Sequence, residues 1–209
     1  MKIICISDTH GLHNNVSLPD GDLLIHAGDV TSRGTRQEVL DFINWFESLK
    51  QYTYKIFIAG NHDFFFEDAI ESEVKNLLPD NLIYLNDSGV EIEGIKIWGS
   101  PIQPEFYNWA FNRKRGSAIK KHWDLIPDDT DILITHGPPA NILDKTTTGL
   151  NVGCQDLLDV CQKVKPKFHI FGHIHEAYGT TLTQDTMYIN ASVLTKKYEV
   201  RNEARCIEI

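Results

Sequence analysis

Five short apolar runs constrain the fold more than any other feature of this sequence: Ile3 to Ile6, Leu23 to Ala27, Ile56 to Ala59, Ile132 to Thr135 and Phe168 to Phe171. Each is too short for an ordinary helix, and most are rich in isoleucine. Runs of this kind read as strands covered on both faces, so the chain must supply layers above and below its sheets. Between Thr35 and Leu49 the residues Val39, Leu40, Phe42, Ile43, Phe46 and Leu49 follow helical spacing, with Asp41, Asn44 and Glu47 opposite, which predicts an amphipathic helix. A second helix is expected over Gln155 to Val164, stopped by Pro166. Val90 to Ile92 with Ile95 to Trp98, and Leu182 with Met187 to Asn190, read as two hairpins, and Ala204 to Ile209 as a last strand. Lys145 to Gly153 reads as an exposed loop. Strands mixed with helices predict an α/β chain with helices packed on a sheet sandwich. With 209 residues and no linker-like stretch, a single domain over residues 1–209 is expected.

Composition narrows the function. Hydrophobic residues make up 42% and charged residues 23%, which excludes disordered, collagen-like and coiled-coil chains. The net charge of −9 disfavours a nucleic-acid polymer or an anionic membrane as partner, so an anionic substrate needs local help such as a metal. No signal-peptide core precedes Asp8 and no apolar stretch approaches the ~20 residues of a membrane span, from which a cytoplasmic location is expected. Cys5, Cys154, Cys161 and Cys206 show no zinc-knuckle or disulfide pattern and read as buried thiols. The basic cluster Arg113, Lys114, Arg115, Lys120 and Lys121 reads as a solvated helix face.

Each apolar run is followed at once by residues that bind metals: Asp8 and His10, Asp29, Asn61 and His62, His136, then His173 and His175. In sheet-based α/β folds sites gather at the carboxyl ends of strands, so these five ends predict one composite site. Two carboxylates, one amide oxygen and four histidines (His10, His136, His173 and His175) exceed what a single catalytic ion takes and suit two ions sharing a carboxylate. Without thiolates, the imidazole and carboxylate donors suit manganese, iron, zinc or nickel.

Taken in order, Asp8 with His10, Gly28 with Asp29, Gly60 with Asn61 and His62, His136, and Gly172 with His173 and His175 resemble the signature of the calcineurin-like metallophosphoesterases. Stretches from Trp98 through Asn112, Leu125 through Pro139 and Gly172 through Gly179 resemble a narrower group, the small metallophosphoesterase-domain proteins of animal brain, related to class III cyclic-nucleotide phosphodiesterases. The resemblance implies a four-layer αββα sandwich of two mixed sheets flanked by helices. It implies a first metal among Asp8, His10, Asp29 and His175, a second among Asp29, Asn61, His136 and His173, and Asp29 as the bridge. Manganese is the expected metal. His62 would protonate the leaving group or stabilise the phosphoryl charge. Two positions depart from the pattern. Asp63 stands where the narrower group more often has Glu, and Ser32 where phosphatases commonly carry an acid that orients the histidine, so the sequence leaves the orientation of His62 open.

Trp98 to Arg113 mixes stiffening prolines and aromatics with polar Gln103, Asn108 and Asn112, a combination suited to a substrate wall, with Trp109 and Asn112 as the expected substrate-binding residues. The expected activity is hydrolysis of nucleotide-type or other small phosphodiesters by a hydroxide bridging the two ions. The alternatives are a phosphomonoesterase or nucleotide pyrophosphatase on the same site, or a weakly active nucleotide-binding module. The sequence does not indicate an oligomeric state.

Overall fold

A computed structural model describes residues 1–209. In chain order the strands are β1 (Lys2–Ile6), β2 (Leu23–Ala27), β3 (Tyr54–Ile58), β4 (Ile83–Tyr84), β5 (Ser88–Ile92), β6 (Ile95–Ser100), β7 (Gln103–Pro104), β8 (Asn112–Arg113), β9 (Ile132–Thr135), β10 (Phe168–Phe171), β11 (Gly179–Leu182), β12 (Met187–Asn190) and β13 (Arg205–Glu208). The helices are α1 (Arg36–Ser48), α2 (Phe64–Asp68), α3 (Glu71–Leu77), α4 (Ser117–Trp123) and α5 (Gln155–Val164). One sheet runs β13-β1-β2-β3-β4 and the other β11-β12-β10-β9-β6-β5, while β7 and β8 form a two-residue pair outside both. The strands β1 to β4 are parallel, as are β6, β9, β10 and β12, with antiparallel β13, β5 and β11 at the margins.

Alternation along the apolar runs explains the layering. Ile3, Cys5, Leu23, Ile25, Ile56 and Ile58 of the first sheet face Ile97, Ile132, Ile134, Ile170 and Ile189 of the second, forming the core between them. The residues in between point outward: Ile4, Leu24 and Phe57 meet Val39, Phe42 and Phe46 of α1, and Leu133, Phe171 and Tyr188 share the second cluster with Trp123, Leu157 and Cys161 of α4 and α5. Strands buried on both faces with helices outside both sheets are the expected four-layer α/β sandwich.

All five expected strands form, although the third ends at Ile58 rather than Ala59. Thr35 caps α1 in a capping box with Glu38, which satisfies the first orphaned amides of the helix. Glu93 and Gly94, both at positive φ, turn the β5–β6 hairpin. Three short helices had no clear periodic signal. Among them, α2 carries the three adjacent phenylalanines and buries Phe66. One expectation needs correction: Cys206 is exposed on β13, whereas Cys5, Cys154 and Cys161 are buried, and all four are free. The basic cluster also divides, since only Lys120 and Lys121 lie on α4, while Arg113 pairs with Glu67 and Arg115 donates to the carbonyls of Val152 and Gly153. No helix is long and apolar enough to cross a membrane.

The two sheets are joined where the site forms. Just past β1, Ser7 donates its N–H to the Ala191 carbonyl (2.9 Å) and accepts from Val193 N–H (3.0 Å), so the carboxyl ends of β1 and β12 meet. Gly172 N–H donates to the His136 carbonyl at 3.0 Å, holding the ends of β9 and β10 in step.

Candidate metal centre

The residues just beyond β1, β2, β3, β9 and β10 converge in two nests. In the first, His175 Nε2 lies 3.4 Å from Asp8 Oδ1 and 3.3 Å from His10 Nε2, and His10 Nε2 is 3.5 Å from Asp29 Oδ2. In the second, His136 Nε2 lies 3.3 Å from the same Asp29 Oδ2 and 2.9 Å from Asn61 Oδ1, and His173 Nδ1 is 2.8 Å from that amide oxygen. Asp29 therefore faces both nests through one oxygen, the arrangement needed of a bridging carboxylate. Asp8, His10, Asp29 and His173 all adopt positive φ (57°, 43°, 55° and 67°), a conformation that costs free energy in non-glycine residues and concentrates at functional sites. At these strand ends it turns the chain sharply enough to aim each side chain across the sheet edge.

The electrostatics fit bound cations. Asp8 and Asp29 are buried, and no lysine or arginine pairs with either. Burial alone would raise their pKa values, but His175 holds Asp8, and His136 with His10 hold Asp29, well below the usual carboxylate range. Burial pulls the other way on the histidines. It is outweighed at His136 and His175, where Asp29 and Asp8 respectively raise the imidazole to about 9. At His10 and His173 burial wins and lowers the value to about 4. A pair of buried carboxylates neutralised only by imidazoles is a donor set that divalent ions can take over by displacing protons. His10 Nδ1 is also buried without a partner.

Backbone groups orient the imidazoles, as outer-shell partners do in metal sites. His136 Nδ1–H donates to the Ala27 carbonyl at 3.0 Å and His175 Nδ1–H to that of Thr195 at 3.1 Å, which turns each Nε2 toward the acids. Asp8 accepts from His173 N–H at 3.1 Å to each of its oxygens.

His62, on the rim, donates its backbone N–H to Asp29 Oδ1 at 2.8 Å and its Nδ1–H to the Ser32 carbonyl at 2.8 Å. The orienting group that the Ser32 side chain lacks is thus its own backbone oxygen. A ring nitrogen of His62 shares a cluster with a ring nitrogen of His10 and an Asp29 oxygen, all within 4.8 Å, so His62 lies nearer the metal face than its place beside Asn61 implies.

Trp109 stacks on His62, with ring centroids 4.2 Å apart and planes at 29°. One indole face is thereby spent on the histidine. The Asn112 amide is committed within its loop: Nδ2 donates to the carbonyls of Phe106 and Tyr107, and Oδ1 accepts from Gln103 Nε2 and Phe106 N–H. Asn112 therefore shapes the loop instead of presenting free polar groups to a ligand. Ala110 N–H donates to the Asn61 carbonyl at 3.1 Å and ties the loop to the second nest.

Two residues contribute more than the sequence reading assigned them, Asp63 having been noted there only as a departure from the family pattern. Asp63, fully buried, accepts from Val30 N–H, Thr31 N–H, Thr31 Oγ1 and Gly60 N–H, pinning the turns after β2 and β3 together. Burial and then the nearby Asp29 push its pKa up to about 6 against those hydrogen bonds. Its position two residues after Asn61 was the available signal. Tyr198, the other, packs its ring against His10 and His175 and had no signal at all. Beside His10 a cleft of about 590 Å³ opens, lined by His13, Asn14, Glu38, Asp41, Asn44 and Trp45, and its carboxylates make it a poor seat for phosphate.

Known proteins resemble the chain in sequence and in fold. The calcineurin-like phosphoesterase family profile matches residues 1–177. Metallophosphoesterase domain-containing protein 1 of Homo sapiens is 44% identical, over the whole of this chain and 71% of its own length. The UPF0046 protein C25E10.12 of Caenorhabditis elegans is 40% identical, over 94% of this chain and 76% of its own. A probable glycerophosphodiester phosphodiesterase of Arcobacter nitrofigilis is 27% identical over 87% of this chain and 66% of its own. Among solved structures, TT1561 of Thermus thermophilus superposes with a TM-score of 0.58 at 12% identity, covering 90% of this chain and 88% of that one, a likeness of fold alone. The strand-end candidate ligands, the two nests and the profile agree: the chain belongs to the calcineurin-like phosphoesterases, dinuclear-metal-dependent hydrolases of phosphoric esters.

Proposed function

We propose that this phosphoesterase is a phosphodiesterase acting on small, nucleotide-type diesters, with manganese as its preferred metal. Asp8, His10, Asp29 and His175 would hold one ion and Asp29, Asn61, His136 and His173 the other. The observation that carries the ligand assignment is the single Asp29 oxygen lying 3.5 Å from His10 Nε2 and 3.3 Å from His136 Nε2. When bound, two such ions supply Lewis acidity toward the phosphoryl oxygens and a water activated near neutral pH. The protein supplies position and a proton. With Nδ1–H engaged by the Ser32 carbonyl, His62 has Nε2 left to carry a proton to the departing ester oxygen, a contribution of roughly 10² to 10⁴ in rate. The hydrogen bond from His62 N–H to Asp29 Oδ1 couples the position of that acid to the bridging carboxylate.

The diester reading is supported by what the protein adds beyond the two ions: no lysine or arginine pairs with Asp8 or Asp29 or stands ready to share the second charge of a monoester, and a diester brings only one. The likeness to a probable glycerophosphodiester phosphodiesterase supports the same choice. The test is turnover by metal-stripped protein reloaded singly with manganese, iron, zinc or nickel and offered cyclic nucleotides, bis(4-nitrophenyl) phosphate and 4-nitrophenyl phosphate. Higher kcat/KM for the diesters, with manganese best, is expected. A monoester preference would move the function to a phosphomonoesterase on the same metals.

A further inference from the structure

Tyr198 is half-exposed, yet its ring rests edge-on against two buried candidate ligands, with centroids 4.9 Å from His10 and 5.4 Å from His175. It sits in a tight hairpin closed by Tyr198 N–H to the Thr195 carbonyl (2.8 Å) and Thr195 N–H to the Glu199 carbonyl (2.9 Å), next to the Leu194–Val200 bridge. The same Thr195 carbonyl accepts from His175 Nδ1–H, so the hairpin is anchored to the first nest by a hydrogen bond as well as by ring packing. Tyr198 has φ 59°, a conformation that glycine or asparagine adopts at less cost, and here it is occupied by a bulky ring held over the site.

The aromatic groups around the nests differ in what they leave free. Trp109 gives a face to His62, and His62 in turn meets His10 edge-on at 4.5 Å. Tyr198 packs on His10 and His175 but not on His62, and its remaining surface is open to solvent. If His62 serves the leaving group, the placement of Tyr198 against His10 and His175 and away from His62 leaves it for the ester group on the other side of the phosphoryl centre.

We infer that Tyr198 is a substrate-contacting wall of the first nest, taking the planar organic group, aryl or nucleobase, that remains attached to the phosphoryl centre. The inference rests on the diester assignment above and specifies which part of the ester is recognised there. It places an aromatic wall beyond Trp109, one face of which is occupied by His62, at a residue outside every motif.

The test is calorimetric binding of two ligands that are not turned over, phenylphosphonate and methylphosphonate, to manganese-loaded protein with metal content measured in parallel. They share the metal-seeking head and differ in the planar group. Tyr198→Ala is expected to weaken phenylphosphonate about tenfold and to leave methylphosphonate within about twofold, since aromatic stacking contributes at that level. Tyr198→Phe should bind both as wild type does. Tyr198→Leu keeps apolar packing on His10 and His175 without a π face, and should reproduce the selective loss even if the alanine variant folds poorly. Equal weakening of both ligands in the leucine variant, or no weakening, would overturn the inference and leave Tyr198 a packing residue. Because neither ligand reacts, this outcome is separate from the diester assignment, which stands or falls on the turnover panel.

Discussion

Gly172→Ala tests the architecture of the centre at one methyl group. A Cβ on Gly172 would lie 2.0 Å from Asp8 Oδ2, 2.2 Å from Ser7 Oγ and 2.7 Å from Ser7 Cβ, where carbon and oxygen ordinarily stay about 3.3 Å apart. Something must yield by roughly 1 Å. Ser7 is held by its hydroxyl donating to the Ala27 carbonyl and by its backbone bonds across to Ala191 and Val193, and Asp8 by two contacts from His173 N–H in a fully buried setting. Overpacking of this kind costs about 1 to 3 kcal/mol. For a chain of this size that is a fall in Tm of about 2 to 12 °C. The carboxylate is the more easily displaced group, so metal affinity at the first nest should drop about ten- to a hundredfold, the range seen when support for a ligand is lost. Gly137→Ala is the control: it adjoins His136, but its Cβ would meet only Gln103 Cβ at 3.8 Å, and stability should change by about 0.5 kcal/mol or less. The assays are thermal unfolding of the metal-free proteins and calorimetric titration with manganese. If Gly172→Ala binds two ions with wild-type affinity and unfolds with Gly137→Ala, Asp8 does not sit where the argument requires.

Asp29→Asn should weaken both metals and abolish turnover, whereas His62→Ala should keep both by metal analysis and lower kcat by about 10² or more; loss of a metal in the His62 variant would remove its assignment as proton donor. Trp109→Ala should lower kcat about ten- to a hundredfold with little change in KM, because the indole holds the His62 ring in place; a raised KM for nucleotide esters with kcat unchanged would return Trp109 to the substrate wall. His169, which is outside the two nests and hydrogen-bonded to Thr135 Oγ1 and Cys161 Sγ, is lowered to about 3 by burial from its ordinary value of 6.5. The unfolded chain therefore binds a proton that the folded one refuses, and this stabilising contribution is present above pH 6.5 and lost as pH falls toward 3. Urea unfolding across that window should lose stability with a slope that His169→Gln reduces by at most about 1.4 kcal/mol per pH unit, and an unchanged slope would contradict the assignment.

The apolar runs determined more of this protein than their brevity suggests. Ile3 and Ile4, or Ile56 and Phe57, had to face opposite ways because a strand alternates its side chains, so layers on both sides of each sheet were legible in the residues themselves. The candidate ligands were legible for a related reason: a polar residue directly after a buried strand must lie at its end, where the ends of parallel strands share an edge. The ring-on-ring and backbone details were not legible. His10 and His175 lie 165 positions apart, and no local pattern states which contacts bring the end of β1 against the loop after β10; the hydrogen bonds from His173 N–H to Asp8 do so, while those of Ser7 with Ala191 and Val193 bring the end of β12 alongside. The Ser32 carbonyl that orients His62 belongs to a group every residue has, so residue identity could not reveal it. Trp109 read as a substrate wall, and composition, which records that an indole is present, could not show that His62 covers one of its faces. Tyr198 belonged to no motif, and only the hairpin that carries it back over His10 and His175 brought it to the site. Periodicity determines which way a side chain leaves its own element, whereas what it meets there depends on contacts between segments distant in the chain, and these exist only once the two sheets have packed.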